Sequence, residues 1–247
     1  MRKLAALAMG IMTAGGLAVI TAKPAIAGAL EVAPTTINFP AGTDRAVIYV
    51  TNHGAEAVVI QIQGFDWRQT GGIDQMEKSD ALILSPPMAR LLPEKRQTIR
   101  LALKSNRAST NEQAFRLILS ELPDPQRQPQ DPPGVQVLLQ LSLPVFAEGS
   151  DPRPAPLTWS AAPSTKGVSL AVHNNGTTHV KLLDLVLTTS EGTHIPIAPG
   201  TMSYVLAGGS HHWESAIPNV KAGDRLHITG HEDSRGTMID APIIVTP

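Results

Sequence analysis

The chain reads as all-β, built from two sandwich domains, and three observations point there. No segment after residue 27 holds a 3.6-residue apolar period. Short runs in which apolar and polar residues alternate recur instead, separated by turn signals. One stretch, Gly149-Ser150-Asp151-Pro152-Arg153-Pro154-Ala155-Pro156, has the composition of a stiff, extended linker and divides the chain.

The first 27 residues have the form of a secretory signal peptide. Arg2 and Lys3 make a positive start, an apolar stretch runs from Leu4 to Ala22, and Ala25-Ile26-Ala27 offers a small-residue cleavage site. The mature protein is therefore expected to start near Gly28. No later segment approaches the roughly 20 apolar residues of a membrane span, so no membrane insertion is expected. Removing the leader takes away three cations and no acid, moving the formal charge from -1 to -4. That charge is too small and too mixed to point to nucleic acid. With no cysteine in the chain, thiol chemistry, disulfides and cysteine-held metals are excluded. A secreted protein of this kind has to stabilise itself by burial, for which roughly 220 residues suffice.

The alternating runs fall at residues 46–51, 58–63, 98–103, 115–122 and 135–146, then at 168–173, 181–188, 203–206, 226–229 and 239–245. Between them lie Asn52-His53-Gly54, Thr70-Gly71-Gly72, Pro86-Pro87, Asn174-Asn175-Gly176 and Ala207-Gly208-Gly209. The linker at 149–156 separates a first domain, 28–148, from a second, 157–247. Each has about the size of one immunoglobulin-like sandwich.

The run at 135–146 is the most telling. Val135, Val137, Leu139, Leu141, Leu143 and Val145 are apolar, while Gln136, Gln140 and Ser142 interrupt the even positions. A period of two puts the apolar side chains on one face of a strand. The run follows the Pro/Asp/Gln-rich stretch 124–134, so it reads either as a core strand or as an edge strand offering its apolar row to another protein.

Catalytic signatures are missing. There is no Gly-x-Ser-x-Gly elbow, no phosphate-binding glycine loop and no His-Glu-x-x-His. His227 and His231 share a strand face but would stand about 13 Å apart, too far for one metal ion. Neither an enzyme, a metal nor a cofactor is expected. Glu121 has the parity of Phe115, Leu117 and Leu119, and an acid on an apolar face needs a partner. A salt bridge across the domain interface would supply one.

These pieces, in this order, resemble the PapD-like periplasmic chaperones of the chaperone–usher pilus pathway. The matching residues are Leu30-Glu31-Val32-Ala33-Pro34-Thr35 with Phe39, Ser85-Pro86-Pro87-Met88-Ala89-Arg90-Leu91-Leu92-Pro93 and Ser120-Glu121-Leu122-Pro123. The 135–146 strand follows, then His173-Asn174-Asn175-Gly176 and Tyr204-Val205-Leu206-Ala207-Gly208-Gly209. The resemblance implies two immunoglobulin-like domains joined as an L. It also implies a periplasmic location and pilin or fimbrial subunits as partners, which an outer-membrane usher then receives. Val135, Val137, Leu139 and Leu141 would be the donor-strand residues that fill the subunit's groove, with no nucleotide needed. Glu121 matches the family's interdomain acid; the usual basic partner falls on Glu148, leaving Arg153 and Arg235 as candidates.

The family grips the subunit's terminal carboxylate with two cations, whose positions here are Thr36 and Pro144. Neither can replace a cation. Arg116, on the strand beside the donor strand, is the first candidate for a displaced anchor, with Arg90 and Arg100 behind it. The Leu-Ser-Leu-Pro-Val-Phe ending places the resemblance nearest the divergent, archaic branch. A bare apolar edge also leaves self-association open. The alternative reading is a secreted two-domain β-sandwich module that binds carbohydrate or a surface protein without donating a strand.

Overall fold

The computed structural model describes residues 30–104, 109–126, 137–233 and 236–247. The segment expected to be a signal peptide, Val135 and Arg235 lie outside these. Strands β1 (Leu30–Ala33), β2 (Ile37–Phe39), β3 (Arg45–Asn52), β4 (Val58–Thr70) and β5 (Ile73–Lys78) come first. They are followed by β6 (Leu82–Ser85), β7 (Met88–Leu91), β8 (Arg96–Leu103), β9 (Gln113–Leu122) and β10 (Gln140–Ala147). After the linker come β11 (Leu157–Ser164), β12 (Gly167–Asn174), β13 (Val180–Thr189) and β14 (His194–Pro196). The chain closes with β15 (Ser203–Val205), β16 (Ser210–Ser215), β17 (Arg225–Glu232) and β18 (Thr237–Ile244). Among the described residues there is no helix.

Both halves are immunoglobulin-like sandwiches. In the first, a four-stranded sheet ordered β1-β3-β8-β6 faces a six-stranded sheet ordered β2-β10-β9-β4-β5, with β7 also on β4. The alternation explains the layering. Ile48 and Val50 on β3, Ile99 and Leu101 on β8, and Leu117 and Leu119 on β9 are almost fully buried between the sheets. Each such side chain contributes about 1.5–3 kcal/mol of burial. In the second sandwich, β11-β12-β16 packs on β14-β13-β17-β18, with β15 on β13. Val168, Leu170, Leu187 and Ile228 lie at its centre.

Three elements differ from the sequence expectation. Strand β4 continues well past residue 63 and hairpins through Gly71-Gly72 into β5, whose six residues are all exposed. Strand β10 begins at Gln140 rather than 135; Val137, Leu138 and Leu139 precede it outside regular structure. Strand β13 carries a bulge between Leu183 and Val186, where Asp184 takes a φ of 51°. One extra residue there changes the parity, so Leu182 and Leu185 both face the core.

The same device closes β3 and β12. The amide of Asn52, fully buried, donates to Glu56 O (2.7 Å) and Leu91 O (3.2 Å), and its Oδ1 accepts from Gly54 N (2.9 Å). Asn174 donates to Thr178 O (2.8 Å), Val205 O and Leu206 O (both 3.1 Å), and accepts from Gly176 N (2.9 Å). A buried backbone group left without its partner costs about 1–3 kcal/mol. Asn52→Leu, nearly equal in volume, is therefore expected to cost about 3 kcal/mol in urea unfolding; a loss below about 1 kcal/mol would refute the role.

Candidate functional site

The six-stranded sheet has an incomplete edge. Strand β10 is paired with β9 along its whole length, but with β2 only at Val145, Phe146 and Ala147. Among the described residues, nothing pairs with the outer side of the chain from Val137 to Pro144. The alternation of an antiparallel ladder says which groups point there. Glu121 N donates to Leu139 O (2.8 Å), so the odd residues address β9. The even ones, Gln140 and Ser142, turn their N–H and C=O to the open side. Glu148 N, donating to Phe39 O (3.0 Å), continues that series onto β2. Pro144 thus lacks its N–H on the open side, where no β9 bond is lost.

The apolar row runs from core to solvent along this edge. Leu143 and Val145 are buried in the first sandwich, and Leu141 is half-buried against the same core. Leu139 is half-buried and Val137 is 84% exposed. Of the four residues assigned to the donor row, three are therefore at least partly free of their own core; Val135 lies outside the described residues.

On the opposite face of the sheet, register places Pro144 beside Arg116, and Arg116 beside Phe65. Directly paired residues share a face. Because Ile37 pairs with Val145, Thr36 stands next to Pro144 on its other side. One row therefore crosses the sheet as Thr36, Pro144, Arg116, Phe65, and the cation missing from its first two positions is present at the third. The central carbon of the Arg116 guanidinium sits over Trp67, 3.7 Å from the ring centroid, and 5.5 Å from that of Tyr204. Among the described residues it makes no hydrogen bond or ion pair. Burial lowers its pKa, with Asp74 opposing, but a guanidinium stays protonated.

The other two arginines do not fit. Arg90 is bound to Asp124 through Nε (3.1 Å) and Nη2 (2.9 Å). Arg100 is exposed on β8, opposite Val47 and Ser85, in the sheet across the sandwich from β10. Neither therefore shares the row that holds Thr36 and Pro144.

Among the described residues, Glu121 makes no interdomain hydrogen bond or ion pair. Its Oε2 accepts from Leu139 N (3.3 Å) at the end of β9 far from the second sandwich, and Arg153 pairs with Asp151 (2.9 Å) instead. The interdomain acid is Glu112, just before the other end of β9 and roughly 30 Å away along the chain. Glu112 Oε1 accepts from His179 N (3.0 Å) and meets His179 Nδ1 (2.8 Å), with both side chains largely buried. Phe146 stacks on the His179 ring at 3.5 Å. Beside this pair, Trp67, Phe146 and Leu206 form a third core between the domains. Gln69 adds two bonds, Nε2 to Tyr204 O (2.8 Å) and Oε1 from Leu206 N (2.9 Å).

Trp67, Glu112 and His179 were not singled out by the sequence, and Tyr204 entered only as part of a matching motif. One signal was there to be read: Val145-Phe146-Ala147 breaks the alternation with three consecutive apolar residues, which a strand needs only where both faces are covered.

A family model described as "Pili and flagellar-assembly chaperone, PapD N-terminal domain" matches residues 29–152. No curated protein matches the chain. Among solved structures, the CsuC–CsuE chaperone–tip adhesion subunit pre-assembly complex of archaic Csu pili from Acinetobacter baumannii is similar, with a TM-score of 0.67 and 22% identity. That match covers 89% of this chain and 100% of the other. The CupB2 chaperone of Pseudomonas aeruginosa matches with a TM-score of 0.54 and 16% identity, over 86% of this chain and 98% of its own. The Salmonella enterica SafA pilin–SafB chaperone complex gives a TM-score of 0.56 and 15% identity, over 88% and 96%. At these identities the likeness is one of fold.

Proposed function

The chain belongs to the PapD-like family of pili and flagellar-assembly chaperones, and from that premise we propose that it receives pilus or fimbrial subunits on the open edge of β10. The family's role is that of a chaperone. In this reading the protein is periplasmic, is released from its leader near Ala27, and works as two domains, 28–148 and 157–247. An incoming subunit lacking a strand adds to the edge between Val137 and Pro144. Main-chain bonds to Gln140 and Ser142 supply affinity, and Val135, Val137, Leu139 and Leu141 fill its groove. Arg116 holds the subunit's terminal carboxylate. An outer-membrane usher then takes the subunit by exchanging one strand for another, without a nucleotide.

The observation that carries this reading is the conjunction of an unpaired edge with a half-exposed apolar row continuous with the core. Co-expression with a pilin from the same gene cluster tests it, the expected result being a stable one-to-one complex. Arg116→Ala is expected to weaken that complex at least about tenfold. Arg116→Lys should recover only part of the loss, because an ammonium lacks the planar fork that stacks on Trp67. Absence of any complex would reject the function; full affinity in Arg116→Ala would reject the anchor.

A further inference from the structure

The Arg116 cluster is built by both domains, and each of its unused groups can donate a hydrogen bond. Trp67 and Arg116 come from the first sandwich, on β4 and β9; Tyr204 comes from the second, on β15. The Tyr204 ring is clamped in place: it stands edge-on to Trp67 at 5.5 Å and tilted against Phe146 at 5.7 Å. Gln69 fixes its backbone to the first domain. Its register partner Lys181 is engaged with Asp233 at 2.7 Å. Among the described residues, the Tyr204 hydroxyl makes no hydrogen bond. The indole N–H of Trp67, in a side chain only 3% exposed, has no acceptor either. A free guanidinium and a free phenol hydroxyl thus stand beside a buried, unpartnered indole N–H. Buried donors are ordinarily satisfied, so the unpartnered indole N–H, next to two groups still free to donate, marks a place for an incoming acceptor. An anion suits it best, since charge-assisted bonds are the strong ones.

We infer that the Tyr204 hydroxyl donates a hydrogen bond to the subunit's terminal carboxylate beside Arg116, so that the two domains grip the anion together. This rests on the anchor reading of Arg116. The second sandwich then has a direct part in capture, and the interdomain contacts of Gln69, Glu112 and His179 become positioning contacts for a binding site. A protein whose domains swing apart would keep its strand edge but lose half of its grip on the carboxylate.

The test uses the full-length mature protein and two synthetic peptides of a gene-cluster pilin's C-terminal strand, one ending in a free carboxylate and one in an amide. The wild type is expected to prefer the free acid by about a hundredfold. Tyr204→Phe keeps the ring and its stacking, and is expected to cut that preference about tenfold while leaving amide binding unchanged. Unchanged thermal unfolding of this variant verifies that the interface is intact. If Arg116→Ala abolishes the preference and Tyr204→Phe leaves it whole, the role of Tyr204 is overturned and the anchor stands. If Arg116→Ala also leaves it whole, or the wild type never distinguishes acid from amide, the anchor reading falls and this inference with it.

Discussion

Replacing Val137 by aspartate is expected to abolish capture of a pilus subunit while leaving the stability of the free protein unchanged. Val137 is 84% exposed, so it contributes nothing measurable to its own domain. In a subunit groove it would be surrounded by apolar atoms, where an unpaired carboxylate costs several kcal/mol. That corresponds to at least about a thousandfold in affinity. Co-purification and thermal unfolding check both halves of the expectation. Leu143→Asp serves as the contrast: Leu143 is 7% exposed in the first core, so that variant should fail to fold. Normal capture by Val137→Asp would place the subunit elsewhere on the surface.

Trp67→Ala should be the most damaging single truncation outside the two sandwich cores. The indole is 3% exposed and packs against Phe146 at 6.0 Å and Tyr204 at 5.5 Å, with Arg116 laid over it. Removing a buried tryptophan costs about 3–5 kcal/mol. Because this one lies between the domains, the loss should also separate their unfolding. Calorimetry is expected to show one cooperative transition for the wild type and two for the variant. A single transition with a loss under about 1 kcal/mol would mean that Glu112, His179 and Gln69 hold the domains without it.

The sandwich class was legible because most strands bury one face and expose the other, which writes a period of two into the chain. Legibility failed wherever that asymmetry failed. Strand β5, Ile73–Lys78, is wet on both faces and carries no pattern. The far end of β4 buries Trp67 against the second domain while Arg68 and Thr70 stay exposed, so a lone aromatic among polar residues carries no apolar alternation after residue 63. In β13 the bulge at Asp184 shifts parity midway.

Of the candidate site, parity made the apolar row legible, while its assignment as a donor row and Arg116 as an anchor came from the resemblance. Glu121 and Glu112 show where parity stops: both are acids at ends of β9, and only the three-dimensional order of the sheets decides which end meets the second sandwich. The partners of Arg116 were hidden too, since Trp67 and Tyr204 are 137 residues apart in sequence and meet only through the domain interface.

Pro144 also bears on how the protein treats its own twin. Two copies meeting edge to edge about a twofold axis would zip their β10 strands antiparallel, the mispairing that an uncovered strand invites. Twofold symmetry repeats every defect, so such a ladder would lack one donor from each Pro144. A foreign strand that stops short of the proline meets neither gap. A single pyrrolidine ring thereby tilts the edge towards heterotypic pairing over homotypic, without a charge or a bulge to enforce it.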